Sequence, residues 1–171
     1  HIFCLMTNMI WIMLMGYPQV FLRDRAPQTI LETCRKTKVV LILAVPLLIN
    51  NLSVTLKKRV AKESRAKRAA FAAMTNISLA AQRVNPIMGL KLAKKMFGSI
   101  NQNLFGDSLE FVICGGSHTP SEYLRTVNAL GYTVTLGFGM TEVGITSVEL
   151  SMSLKSRQTG SVGWPLPITE Y

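Results

Sequence analysis

Between Leu109 and Glu142 the sequence twice runs from an apolar stretch into a glycine pair, with one helix-length segment between the two. The first stretch is Leu109-Glu110-Phe111-Val112-Ile113-Cys114, which exits at Gly115-Gly116-Ser117-His118. The second runs from Tyr132 to Leu136 and ends in Gly137-Phe138-Gly139-Met140-Thr141-Glu142. Thr119-Pro120-Ser121-Glu122 opens the helix between them as a capping box: Thr119 caps, Pro120 takes the first position and Glu122 reaches back. The helix runs to Leu130 and stops at Gly131. Strand, helix, strand with short turns implies a right-handed parallel crossover. Both glycine turns then lie at the carboxyl ends of neighbouring strands, on the sheet edge where α/β folds collect ligands.

The second turn has the residue types for a phosphate ligand. Gly137 and Gly139 permit a sharp turn and a close backbone approach. Phe138 between them offers a flat ring face, and Thr141 beside Glu142 sets a hydroxyl next to a carboxylate, a pair suited to a phosphate and its divalent cation. Spacing alone also fits two ordinary tight turns and a solvated Glu142, because short glycine motifs recur widely.

Upstream, Ile2 to Met15 is apolar but shorter than the roughly 20 residues of a bilayer span, so a buried helix is expected, ended by Gly16 and Pro18. Gln19 to Leu22 fits a short strand. Pro27 starts a helix with Ile30, Leu31 and Cys34 on its apolar stripe, and Val39 to Val45 is a continuous apolar run of buried-strand length. Pro46 starts the next helix. Residues 56–84 form a long helical stretch, broken near Thr75-Asn76, with Val60, Phe71, Met74, Ile77 and Leu79 as inward contacts. Asn85-Pro86 stops it. An amphipathic helix with Leu90, Met96 and Phe97 follows, C-capped by Gly98, and a short one over 99–105 is closed by Gly106. Ile145 to Leu150 fits a further strand, Arg157 to Gly163 a Gly/Ser loop, and Pro165 to Pro167 resists regular structure.

With 171 residues, 49% of them apolar, the chain is long enough for one domain with a substantial core. Cys4, Cys34 and Cys114 are scattered and read as buried thiols of a reducing compartment. The net charge of +10 is uneven: Lys57, Lys58, Arg59, Lys62, Arg65, Lys67 and Arg68 cluster in one span. Such a run is either a solvated helix face or a surface for anionic lipid or nucleic acid.

Four segments, in order, resemble the AMP-forming adenylating enzymes, the superfamily of acyl-CoA synthetases, luciferases and peptide-synthetase adenylation domains. Gly137 to Glu142 is similar to that family's aromatic-Gly-x-Thr-Glu motif, and Gly115-Gly116-Ser117 to its preceding Gly-Gly-Ala turn. Gly160-Ser161-Val162-Gly163-Trp164-Pro165-Leu166-Pro167 resembles its Gly-Ser-Val-Gly-x-Pro-x-Pro segment, and His1-Ile2-Phe3 its His-aromatic segment. The basic helical region most resembles the long-chain fatty-acid–CoA ligase branch. The resemblance implies an α/β fold that is part of the family's large N-terminal domain. A helical region at about 46–105 would be inserted before a β-α-β nucleotide-site region at about 109–171.

The resemblance also implies chemistry. ATP activates a carboxylate to an acyl-adenylate with loss of pyrophosphate, and coenzyme A then takes the acyl group. Gly115, Gly116 and Ser117 would border the adenine; Phe138 would pack on its ring, with Gly137 and Gly139 allowing the approach. Thr141 would hydrogen-bond the α-phosphate and Glu142 would hold Mg²⁺. Met140, Val143 and His1 would face the acyl side. The expected setting is cytoplasmic, with an anionic membrane surface met through Lys57–Arg68 and no specific nucleic acid.

The sequence also departs from the family pattern: Ser117-His118 and Ile168 stand at unusual positions. The family's Gly/Ser/Thr-rich phosphate loop with its Lys is not found in these residues. Nor are the later Asp that holds the ribose and the C-terminal catalytic Lys domain, so the piece alone is expected to be inactive. The other readings are a non-catalytic nucleotide- or acyl-binding module and a basic peripheral-membrane module.

Overall fold

A computed structural model describes residues 5–24, 26–167 and 169. Its centre is a five-stranded sheet in the order β1 (Leu41–Ala44), β2 (Phe111–Gly115), β3 (Thr133–Met140), β4 (Gly144–Val148), β5 (Trp164–Pro165). The first three strands are parallel, and β3, β4 and β5 alternate in direction. The expected parallel α/β unit is therefore present, extended by an antiparallel edge. β3 lies in the middle and is buried from Thr133 to Gly137.

Helix α1 (Pro27–Thr37) starts at Pro27 and ends where Lys38 turns left-handed (φ 52°). The connection from β1 to β2 is a helical excursion: α2 (Pro46–Ala61), α3 (Arg65–Val84), α4 (Pro86–Met96) and α5 (Gly98–Asn103). Helix α6 (Ser121–Ala129) joins β2 to β3, and α7 (Leu154–Thr159) joins β4 to β5. Leu52, Leu56, Phe97, Leu109, Val112, Leu124, Leu130 and Val134 belong to one core between sheet and helices. Cys34 and Cys114 are buried in it; burial pushes the Cys34 thiol up to about 11 and raises that of Cys114, which keeps both protonated and unreactive at neutral pH.

Several local expectations fail, each for a visible reason. The helical break falls at Lys62–Ser64 instead of Thr75-Asn76, because Ser64 caps α3 by accepting from the Lys67 N–H (3.4 Å). Ile77 points outward. Gly98 does not cap α4: the fully buried Phe97 holds the chain in place, and α5 starts directly at Gly98, with the Asn101 N–H donating to the Phe97 carbonyl at 2.9 Å. Gln19–Leu22 pairs with no strand among the described residues. The described part of the leading segment is helical, π-type over Leu5–Trp11 and α over Ile12–Leu14. It is exposed instead of buried, with Leu14 79% accessible.

The capping box also does not form. Pro120 takes the N-cap place of α6 and no side chain caps it. Thr119 is buried with its hydroxyl 3.6 Å from the Cys114 sulfur, and Glu122 is drawn away into an ion pair with Lys57 of α2. The expected loop from Arg157 contains the end of α7. The expected irregular Pro165 pairs with Ser147, which an edge strand tolerates in a proline.

Candidate functional site

The sheet register sets the two glycine turns side by side. Gly115, the last residue of β2, pairs with Gly137 of β3. Past Gly115 the chain leaves the sheet at Gly116, whose φ of 99° suits glycine and strains other residues. Ser117 and His118 follow, both exposed. A hydroxyl and an imidazole thus stand exposed at the exit of β2.

The second stretch differs from the turn expected after Leu136. β3 does not end there but continues through Gly137, Phe138 and Gly139 to Met140, then folds back as β4. Thr141, Glu142 and Val143 are the three-residue tip of this hairpin, and Gly144 closes it with a φ of 76°. The register slips between Phe138 and Gly139, so the strand bulges there. A bulge re-aims the side chains around it. Phe138 is 41% exposed although its neighbours Gly137 and Gly139 sit in the sheet. Thr146 of β4 donates its hydroxyl to the Phe138 carbonyl at 3.4 Å, which ties the bulge to the next strand.

Gly139 is required by space as well as by flexibility. A Cβ built there would stand 2.3 Å from the Gly144 carbonyl oxygen and 2.9 Å from the Ile145 Cα. Gly163 meets β4 in the same way: its Cβ would lie 2.3 Å from the Val148 oxygen, at a φ of 78°. Gly163 leads into Trp164 and Pro165, which pair with Val148 and Ser147, and the Leu166 N–H donates to the Thr146 carbonyl at 2.8 Å. The glycine-proline segment of the sequence is therefore the third strand of the hairpin, buttressing β4 from the side away from β3.

Gly115, Gly116, Ser117, Gly137, Phe138, Gly139, Met140, Thr141, Glu142 and Val143 all fall on this one edge, from two adjacent strand exits. Met140 and Val143 are exposed at the hairpin tip. His1 lies outside the described residues. The edge offers a flat aromatic face, free backbone, two hydroxyls and one carboxylate. Among the described residues no three His, Cys, Asp or Glu side chains gather as a metal centre. A lone carboxylate fits a hard cation such as Mg²⁺, which keeps most of its shell as water and phosphate oxygen.

One group behind this edge was not picked out from the sequence. Arg157 of α7 is 1% exposed and has no acidic partner among the described residues. Its guanidinium donates to Asn128 Oδ1 at 2.5 Å, Gln82 Oε1 at 3.2 Å and the Met152 carbonyl at 3.3 Å. Gln82 in turn donates to the Asn128 carbonyl, and Ser78 to that of Ala129, so α3, α6 and α7 share one buried polar junction. Asn128 Oδ1 also accepts from Val134 N–H of β3 at 3.4 Å. Burial lowers the Arg157 pKa to about 10, still cationic at neutral pH. Nothing in its serine- and glycine-rich surroundings marks Arg157 as interior; only its burial does.

Over residues 1–171 the sequence matches the family described as AMP-binding enzyme. Among solved structures the chain is similar to the luciferase-like enzyme from the nonluminescent Zophobas morio mealworm, at 18% identity and a TM-score of 0.54. That match covers 90% of this chain and 28% of the other. At that identity it speaks for the fold alone. No curated protein sequence matches significantly.

Proposed function

Since the chain belongs to the AMP-binding enzyme family, we propose that it forms the adenylate-holding edge of an ATP-dependent acyl-activating ligase. The reaction assigned to the enzyme is attack of a carboxylate on the α-phosphorus of ATP, giving an acyl-adenylate and pyrophosphate. Transfer of the acyl group to coenzyme A follows. The basic helical region favours a long-chain fatty acid as the carboxylate.

The observation that carries this reading is the pairing of Gly115 with Gly137, which puts the Gly115-Gly116 exit beside the exposed, glycine-flanked Phe138 of β3. Each residue has a part. Gly115, Gly116 and Ser117 border the adenine. Phe138 stacks on it, and Gly137 and Gly139 keep side chains out of the way. Thr141 donates its hydroxyl to the α-phosphate, holding the phosphorus for in-line attack. Glu142 holds Mg²⁺, which when bound neutralises phosphate charge. Met140 and Val143 cover the acyl side of the same tip. The exposed basic corner Lys57–Arg68 supports an anionic membrane surface as a docking partner, with a cytoplasmic setting.

Two measurements test the reading. Phe138→Ala removes the ring while leaving the backbone hydrogen bond from Thr146. If Phe138 stacks on adenine, AMP affinity measured by calorimetry falls by roughly 1–3 kcal/mol, the range for base–aromatic stacking. Unchanged affinity would remove the ring from the site. In the enzyme that contains this chain, pyrophosphate release across a series of straight-chain acids should peak at long chains. A peak at acetate would instead assign a short-acyl enzyme.

A further inference from the structure

The helical excursion between β1 and β2 encloses a groove of about 490 Å³ between α2, α3, α4 and α5. That volume is in the range of small-molecule sites. Its walls are Leu56, Phe71, Met74, Met96 and Ile100. Phe71 is braced edge-on against the buried Phe97, with ring centroids 5.6 Å apart, so the wall is firm on that side. Met74 and Met96 supply flexible thioethers that adapt to an alkyl chain.

One side of the groove is charged. Arg59, Glu63 and Lys67 line it. Glu63 is engaged by Lys67 at 2.8 Å. Arg59 has no acidic partner among the described residues, and neither do Lys62, Arg65 and Arg68 at the same corner. The result is an apolar slot with one uncompensated guanidinium on its edge, in a locally positive field. The planar fork of a guanidinium matches a carboxylate bidentately.

The slot is separate from the nucleotide edge. None of its lining residues comes from Gly115–Ser117 or from the β3–β4 hairpin. Asn103 and Leu104, which do line it, lead toward the entering end of β2, whereas Gly115 is at the exit.

We propose that this groove binds a single acyl chain ending in a carboxylate, with the chain along Phe71, Met74 and Met96 and the head on Arg59. The site goes beyond the nucleotide reading and needs no ATP, so either can fail without the other.

The test is calorimetric titration of the 171-residue protein with dodecanoate below its micellar concentration. One saturable site is expected. Arg59 is exposed, so Arg59→Gln should weaken it about three- to fivefold, the upper end for an exposed ion pair, and the charge reversal Arg59→Glu about tenfold. Ile100→Trp, which fills the slot, should do the same. Lys62→Glu, on the corner but not in the lining, should leave it within about twofold by the usual behaviour of surface charges. Dodecanol should bind wild type and Arg59→Glu alike, and Phe138→Ala should leave dodecanoate binding intact. Circular dichroism of each variant establishes that the helices are retained.

Four results would overturn the proposal: no saturable binding, equal losses in Arg59→Glu and Lys62→Glu, displacement of dodecanoate by AMP, or binding to phosphatidylserine vesicles without binding of the soluble acid. Tighter binding of dodecyl phosphate than of dodecanoate would overturn the carboxylate assignment.

Discussion

Gly139→Ala is expected to disable adenylation while leaving the helical part of the molecule folded. The new methyl would stand 2.3 Å from the Gly144 carbonyl oxygen and 2.9 Å from the Ile145 Cα, both backbone atoms of the partner strand. Neither can swing aside as a side chain could, so β3 and β4 must separate where the register already slips. Overpacking of this kind costs roughly 1–3 kcal/mol. The larger effect is positional. Among the described residues Thr141 and Glu142 are positioned by the hairpin they tip, and under the proposed function a displacement of about 1 Å there would cost on the order of 10²-fold in rate. The measurement is ATP–pyrophosphate exchange in the enzyme containing this chain, beside urea unfolding. Exchange within threefold of wild type would show that the bulge does not position the tip. Gly160→Ala, just past α7, is the matched control. Only Leu136 Cδ1 comes within 4 Å of the Cβ it would add, at 3.8 Å, so the strain of its 83° φ is what is felt, roughly 1–2 kcal/mol.

Arg157→Met should cost the most stability of any single side chain considered. Methionine roughly keeps the volume and loses the donors. Gln82 Oε1 is then a buried acceptor without a partner, at about 1–3 kcal/mol, while Asn128 Oδ1 keeps only the long bond from Val134 N–H and the Met152 carbonyl also loses its donor. A total of roughly 3–5 kcal/mol follows, a large part of a typical domain's whole stability. Urea unfolding should show a lower midpoint with unchanged slope, the sign that stability and not compactness changed. Arg157→Lys should recover only part of the loss, because an ammonium cannot span both acceptors as the fork does. A midpoint shift smaller than that of a surface substitution would mean the junction is not what joins α3, α6 and α7.

The sheet was legible because its signals are local and repetitive. Val39 to Val45 and Leu109 to Cys114 are apolar runs with prolines or glycines at their ends, and both appear as parallel strands. The helix starts at Pro27, Pro46 and Pro86 were legible for the same reason: proline's missing N–H fits the first turn. What failed depended on tertiary partners. Glu122 would close a capping box locally, but Lys57, distant in sequence, claims it. Gly98 has the residue type of a C-cap, yet the burial of Phe97 decides its backbone. The motif at Gly137–Glu142 was read as a turn that lets a ligand approach; in the structure the close approach at Gly139 is that of its own partner strand, Gly144 and Ile145. That approach is not visible in a glycine count. Arg157 carries no local signal at all, since a lone arginine in a serine-rich stretch looks solvated. Of the candidate edge, the gathering of the two turns was readable from chain order, while the hairpin and its buttress at Trp164-Pro165 were not.

The placement of α2 to α5 between two adjacent strands has a kinetic meaning. Leu41 pairs directly with Phe111, about 70 positions away along the chain, whereas Met140 and Gly144 pair across three residues. Closing the long loop costs entropy before any contact between β1 and β2 repays it, and pairings of that separation slow folding. The hairpin can zip on its own on a microsecond scale. The helices must instead collapse into a compact unit before the first strand can find its neighbour. The separation of its pairings therefore predicts that the β3–β4 hairpin assembles from short-range parts and that β1 docks last.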